Sequence, residues 1–121
     1  MIISTVLLVD DSRFMRRWLT QILQERGFEI VAEASNGVEA LARYNMTKPD
    51  LVIMDVAMNK MNGIQALERL MHTHPEAKVI MCSSLGDDFA VRRCLSLGAI
   101  KFIRKPYFND LVQVLEEVAL E

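Results

Sequence analysis

Five short apolar runs punctuate this chain at regular intervals, at 5–9 (TVLLV), 28–34 (FEIVAEA), 50–54 (DLVIM), 77–82 (AKVIMC) and 99–103 (AIKFI). All five read as strands; 5–9 and 51–54 have the unbroken apolar pattern of buried strands, whereas 28–34 is partly alternating, as an edge strand is. The stretches between them carry helical periodicity. Ser12 is placed to cap a helix with apolar residues at 14/15, 18/19 and 22/23, and Gly27 closes it. Asn36 and Glu39 have capping-box spacing for a helix to about 45, before Pro49 breaks the pattern. Asn62 opens a helix whose apolar face is Ile64, Leu67, Leu70 and Met71. Gly86 or Asp87 opens the next, which Gly98 stops, and Asn109 is expected to cap the last, with Leu111, Val112, Val114, Leu115 and Val118 on its apolar side. Alternating strands and helices with short connections require right-handed crossovers, hence an α/β fold: a doubly wound five-stranded parallel sheet with helices on both faces.

Composition narrows the class. With 121 residues, 51% hydrophobic and 25% charged, the chain reads as one soluble globular domain spanning 1–121. A formal net charge of −2 argues against a nucleic-acid surface, and the pairs Arg16/Arg17 and Arg92/Arg93 read as solvated helix faces. No run approaches the roughly 20 apolar residues of a membrane span. The apolar first nine residues lack a preceding basic segment and run straight into Asp10 and Asp11, unlike a secretory signal, so a cytoplasmic protein is expected. Cys82 and Cys94 then read as buried thiols. The spacing of His72 and His74 faces them apart on a helix, which disfavours a metal pair.

Four of the five runs end in reactive side chains: Asp10 and Asp11 after the first, Asp55 after the third, Ser83 after the fourth and Lys105 after the fifth. Parallel strands bring these tips to one edge, where open α/β sheets place their ligands. Three carboxylates about 5 Å apart repel by about 3 kcal/mol per pair at an effective dielectric near 20. Hard oxygen ligands of this kind select Mg²⁺. A carboxylate can also serve as a nucleophile toward phosphorus, and in-line transfer then needs a metal, an ammonium and a hydroxyl around the equatorial oxygens.

The DD pair at 10–11, the stretch DVAMNKMNG, the serine of IMCSS and the KP of FIRKP together resemble the receiver domain of two-component response regulators. The likeness covers the whole chain and is greatest to the small single-domain chemotaxis type. It implies the flavodoxin-like strand order 2-1-3-4-5, which suits the weaker, partly alternating second run to an edge. It implies that Asp55 is the phosphoacceptor. Asp10, Asp11, Asp55 and the backbone carbonyl of Ala57 would bind Mg²⁺, with Asp11 a direct ligand and Asp10 acting through water. Ser83 and Lys105 would contact the phosphoryl group, Lys105 preceding a cis bond to Pro106, and Ser83 with Phe102 would form the switch. The implied partners are a sensor histidine kinase and a downstream protein, the flagellar motor or another target. That target would be met through the fourth helix (87–97), fifth strand and last helix (109–119).

Some residues depart from the family pattern. Asn59 stands where proline is usual, which implies a less rigid loop. Ala57 and Leu85, at positions that tune phosphoryl lifetime, cannot orient a water with their side chains, and Phe102 lacks the tyrosine hydroxyl. The expected protein is a regulator rather than a turnover enzyme, although its site would assist its own phosphorylation and dephosphorylation. A receiver trimmed from a longer regulator is the alternative. A Mg²⁺-dependent phosphatase needs a second aspartate where Ala57 stands, and a binding module with a dead site does not explain the complete acid, hydroxyl and lysine set.

Overall fold

The computed structural model describes residues 4–84, 88–105 and 108–119. Its strands are β1 (Thr5–Val9), β2 (Glu29–Ala34), β3 (Leu51–Asp55), β4 (Val79–Ser83) and β5 (Lys101–Arg104). Between and after them run α1 (Arg13–Glu25), α2 (Gly37–Thr47), α3 (Gly63–Thr73), α4 (Asp88–Ser96) and α5 (Phe108–Ala119). The strands form one parallel sheet in the order β2-β1-β3-β4-β5, as expected.

Side-chain alternation along the strands builds two cores. On one face Val6, Leu8, Leu51, Ile53, Ile80, Cys82 and Ile103 pack against Leu19 and Leu23 of α1 and Leu111 and Leu115 of α5. On the other, Leu7, Val9, Val52, Met54, Val79 and Met81 meet Ala40 and Tyr44 of α2, Leu67 and Leu70 of α3 and Cys94 of α4. Each fully buried aliphatic side chain contributes roughly 1.5–3 kcal/mol, so both helix layers are held by burial. The central strands β3 and β4 are buried along their whole length, which is why they read as unbroken apolar runs. Edge strand β2 is mostly half-exposed and alternates weakly.

The helix starts follow the local chemistry. The Ser12 side chain accepts from the Met15 amide, and Asn62 with Gln65 forms a two-armed capping box. At α2 the box expected from Asn36 and Glu39 closes differently. Asn36 accepts from the Glu39 amide, but the Glu39 carboxylate turns to the amide and hydroxyl of Ser35, at 2.9 and 3.0 Å. Helix α5 begins at Phe108, so Asn109 lies inside it rather than capping it. The residues expected to open α4, Gly86 and Asp87, lie outside the described residues, as do Leu85 and Pro106.

Strands β3, β4 and β5 each run one residue further toward the carboxyl edge than their apolar stretches suggest. The ladder continues through Asp55↔Cys82 and Ser83↔Arg104, and Lys105 still donates its amide to the Ser83 carbonyl at 3.0 Å. Pairing of backbone groups, indifferent to side-chain polarity, thus carries the polar residues into the sheet.

Candidate functional site

Those polar strand ends converge. Each of Asp10, Asp11 and Asp55 offers a carboxylate oxygen within 4.8 Å of the others. Asp10 is held where β1 passes into α1: its amide donates to the Ala34 carbonyl and its Oδ1 accepts from the Ser12 amide at 2.9 Å. Only 2% of Asp10 and 7% of Asp55 is exposed, whereas Asp11 reaches solvent. Lys105 extends from beyond β5 and places its Nζ 2.6 Å from Asp10 Oδ2 and 3.4 Å from Asp55 Oδ1. Asp10, Asp11, Ser12, Met15, Asp55, Ala57, Ser84 and Lys105 line a cavity of about 460 Å³ open to solvent.

The electrostatics are unbalanced. Burial is the main influence on Asp55 and pushes its carboxyl above the usual range; Lys105 opposes this and the Asp10 charge adds to it. Burial pulls the Lys105 ammonium down, but the hydrogen bond to Asp10 and the charges of Asp55 and Asp10 outweigh it and hold the group above an ordinary lysine. Burial likewise pushes the Cys82 thiol, beside Asp55 in the ladder, up to about 12, so it packs as a neutral side chain. Cys82 and Cys94 are both buried and free of any disulfide. Three carboxylates against one ammonium leave the cavity two charges negative, at a repulsion of about 3 kcal/mol per carboxylate pair. The clustered oxygens suit a hard divalent cation.

The loop after Asp55 is tied at both ends. Gly63 donates its amide to the Val56 carbonyl at 2.8 Å, and the Met61 carbonyl accepts from the amide of Gly37, the first residue of α2, at 2.8 Å. A Cβ on Gly63 would come within 2.0 Å of the Asp55 carbonyl oxygen, so only glycine lets α3 start this close to β3. Asn59 is exposed within this loop and Lys60 adopts a left-handed φ of 59°. The backbone of Ala57 weakly opposes the upward push on the Asp55 carboxyl.

Ser83 and Phe102 are not among the residues lining the cavity. Ser83 is fully buried at the tip of β4, while its neighbour Ser84 lines the opening. Alternation puts Ser83 on the same face as Met81, whose ladder partner is Phe102. Phe102 is half-buried and packs against the core beneath α4. Sequence reasoning passed over Ser84 and Met15 as lining residues; the doubled serine of IMCSS and the apolar residue in the first turn of α1 were the available signals.

Residues 6–116 match the response regulator receiver domain. The chemotaxis protein CheY of Listeria monocytogenes is 44% identical over 115 residues, which are 94% of this chain and 97% of that protein. A protein-glutamate methylesterase/protein-glutamine glutaminase of Geobacillus kaustophilus is 41% identical over 119 residues, covering 93% of this chain but 34% of that protein. Among solved structures, a chain of the CheX–CheY–BeF3–Mg complex of Borrelia burgdorferi aligns with a TM-score of 0.91 and 38% identity, over 98% of this chain and 90% of that one.

Proposed function

Because this chain belongs to the response regulator receiver domain family, a family of regulatory signalling proteins, we propose that it accepts a phosphoryl group on Asp55 from a histidine kinase and passes the signal to a protein target. The observation that carries this reading is the cluster of Asp10, Asp11 and Asp55 carboxylates within 4.8 Å, with the Lys105 ammonium between Asp10 and Asp55.

The step is an in-line displacement. A carboxylate oxygen of Asp55 bonds to phosphorus as the phosphorus–nitrogen bond of the donor phosphohistidine breaks, and the imidazole leaves with the electron pair. Asp10, Asp11, Asp55 and the Ala57 carbonyl would hold Mg²⁺, and the two excess negative charges fit a divalent ion. When bound, Mg²⁺ supplies charge neutralisation at the phosphoryl oxygens. Lys105 leaves Asp10 for a phosphoryl oxygen, and the Ser83 hydroxyl donates to another. Raising the Asp55 carboxyl favours its neutral form, so charge in the cavity must be offset for the nucleophile to be available.

Drawing Ser83 toward the phosphoryl group changes the packing beside Phe102, which shares its sheet face. That two-position shift would be read on α4, β5 and α5, where Phe89 is 73% exposed and Leu95 is also exposed. The downstream target docks there. Similarity to chemotaxis proteins over nearly their whole length supports a stand-alone receiver of 1–121 in a cytoplasmic chemotaxis pathway acting on the flagellar motor or another target; no described helix is long and apolar enough to cross a membrane. The site assists its own phosphorylation and hydrolysis without making the protein a turnover enzyme.

Acetyl phosphate with Mg²⁺ should add one phosphoryl group to the purified protein, and peptide mapping after borohydride trapping should place it on Asp55. Absence of labelling under saturating donor, or labelling elsewhere, overturns the assignment.

A further inference from the structure

Arg16 belongs to no part of the site described so far, yet it is tied to it. Its side chain folds back from the first turns of α1, and Nη1 donates to the backbone carbonyl of Asp10 at 2.5 Å. Its Nε donates to Glu33 Oε1 on β2 at 2.9 Å. The arginine side chain is 15% exposed and so largely withdrawn from solvent. The Asp10 carbonyl belongs to the peptide joining Asp10 to Asp11. The orientation of that peptide plane sets the direction in which the Asp11 side chain leaves the backbone.

The other bonds of this turn start from Asp10 itself: its amide donates to the Ala34 carbonyl, its Oδ1 accepts from the Ser12 amide, and its Oδ2 accepts from Lys105. Mutual repulsion of three carboxylates pushes the turn away from Asp55. A guanidinium is a rigid planar fork and reaches two acceptors in different directions at once. Here one acceptor is the turn and the other is the neighbouring edge strand, so the turn is braced against the sheet.

We infer that Arg16, oriented by Glu33, is a positioning residue that fixes the Asp10–Asp11 peptide plane and thereby presents the Asp11 carboxylate to the divalent cation and the incoming phosphoryl group. The inference rests on the proposed phosphoacceptor reading. Arg16 touches neither ligand; it acts through the backbone.

The test compares Arg16→Lys, Arg16→Met and Glu33→Gln by Mg²⁺ calorimetry at a temperature well below each variant's melting point. Amide shifts of Asp10 and Asp11 are recorded alongside, and acetyl phosphate labelling rates are a third readout. Positioning predicts Mg²⁺ affinity about tenfold weaker in both arginine variants, the scale of losing a partner that orients a metal ligand. Glu33→Gln should lie between them and the wild type, and the amide shifts of Asp10 and Asp11 should move in every variant. If charge alone mattered, Arg16→Met would bind Mg²⁺ more tightly and Arg16→Lys would match the wild type; that result overturns the inference. So does a lowered melting temperature with unchanged Mg²⁺ affinity, which marks a merely structural role. Failure of the wild type to bind Mg²⁺ or to be labelled strikes the underlying reading instead.

Discussion

Strand β3 is preceded by one aspartate and ends on another, and the two are opposites. Asp50, at the amino end, has its carboxylate filled: Oδ2 accepts from the Ser4 amide at 3.0 Å, the Thr5 amide at 3.1 Å and the Ser4 hydroxyl at 3.3 Å. The Asp50 amide in turn donates to the Thr5 hydroxyl oxygen at 2.9 Å. Those donors, led by the Ser4 amide, hold its carboxyl below the usual range against the effect of burial. Asp55, at the carboxyl end, is buried among like charges and its carboxyl is pushed up. Residue type and strand are the same, so the difference lies in what faces each group. A carboxylate supplied with donors by its own fold staples β1 to β3. One left short of positive charge is poised to take something from outside.

The sharpest break between the two is chemical. Asp55→Asn should reduce acetyl phosphate labelling to background, about a hundredfold or more, because the nucleophile is gone. Asp50→Asn should label at the wild-type level in the same intact-mass assay. Comparable losses in both would mean that the ends of β3 are not functionally distinct.

Next in size is the lysine that holds the carboxyl end together. Lys105→Met should destabilise the protein by about 3 kcal/mol in urea melts with EDTA, since it leaves Asp10 and Asp55 facing each other uncompensated. Millimolar Mg²⁺ should restore much of that loss by linkage. With its folded pKa raised, the lysine's contribution is complete below about 10.5 and lost as pH rises through the folded value. The difference between variant and wild type should therefore close only at strongly alkaline pH.

At the amino end, Asp50→Ala should cost about 1–2 kcal/mol at neutral pH, the worth of several partly exposed charged hydrogen bonds. Because the folded pKa lies below 3.8, this stability is present above that value and lost as pH falls through the folded pKa. Urea melts at pH 7 and pH 3 should show the gap narrowing. The smallest effect has the opposite sign. Asp55→Asn in EDTA should gain up to about 1 kcal/mol at pH 7, as repulsion from Asp10 is removed and attraction to Lys105 is lost with it. A raised folded pKa means that wild-type stability falls as pH rises from 3.8 through the folded value, so the gain should shrink in acid. A loss at neutral pH would show that the lysine more than offsets the repulsion.

Most of this arrangement is legible in the chain because it depends on strand ends. An apolar run that stops on Asp or Lys states where its tip is, and parallel pairing then dictates that Asp10, Asp55 and Lys105 share an edge. The order β2-β1-β3-β4-β5 came through resemblance, with the half-exposed pattern of β2 agreeing. What the sequence conceals is reach. Nothing in the spacing of Lys105 announces that its ammonium sits closer to Asp10 than to Asp55. The bond from Arg16 back to Asp10, and the turning of Glu39 to Ser35 instead of Asn36, depend on rotamers and on where helices dock. Gly63 looks like an ordinary helix-opening residue until the Asp55 carbonyl is seen against it.

That last glycine has a consequence for anyone who would lengthen or re-thread this polypeptide. Gly27, in the turn after α1, has nothing within 4 Å of a built Cβ and is exposed, and the turn at Pro75 and Glu76 is exposed as well. Such turns, on the edge away from Asp55, are where an epitope graft or new chain ends are cheapest. The connection from Val56 to Asn62 is the reverse case: a clasp of set length, latched by Gly63 to β3 and by Met61 to α2. One residue added or removed there unlatches an end, and the tip of β3 loses its registration with the helix that follows.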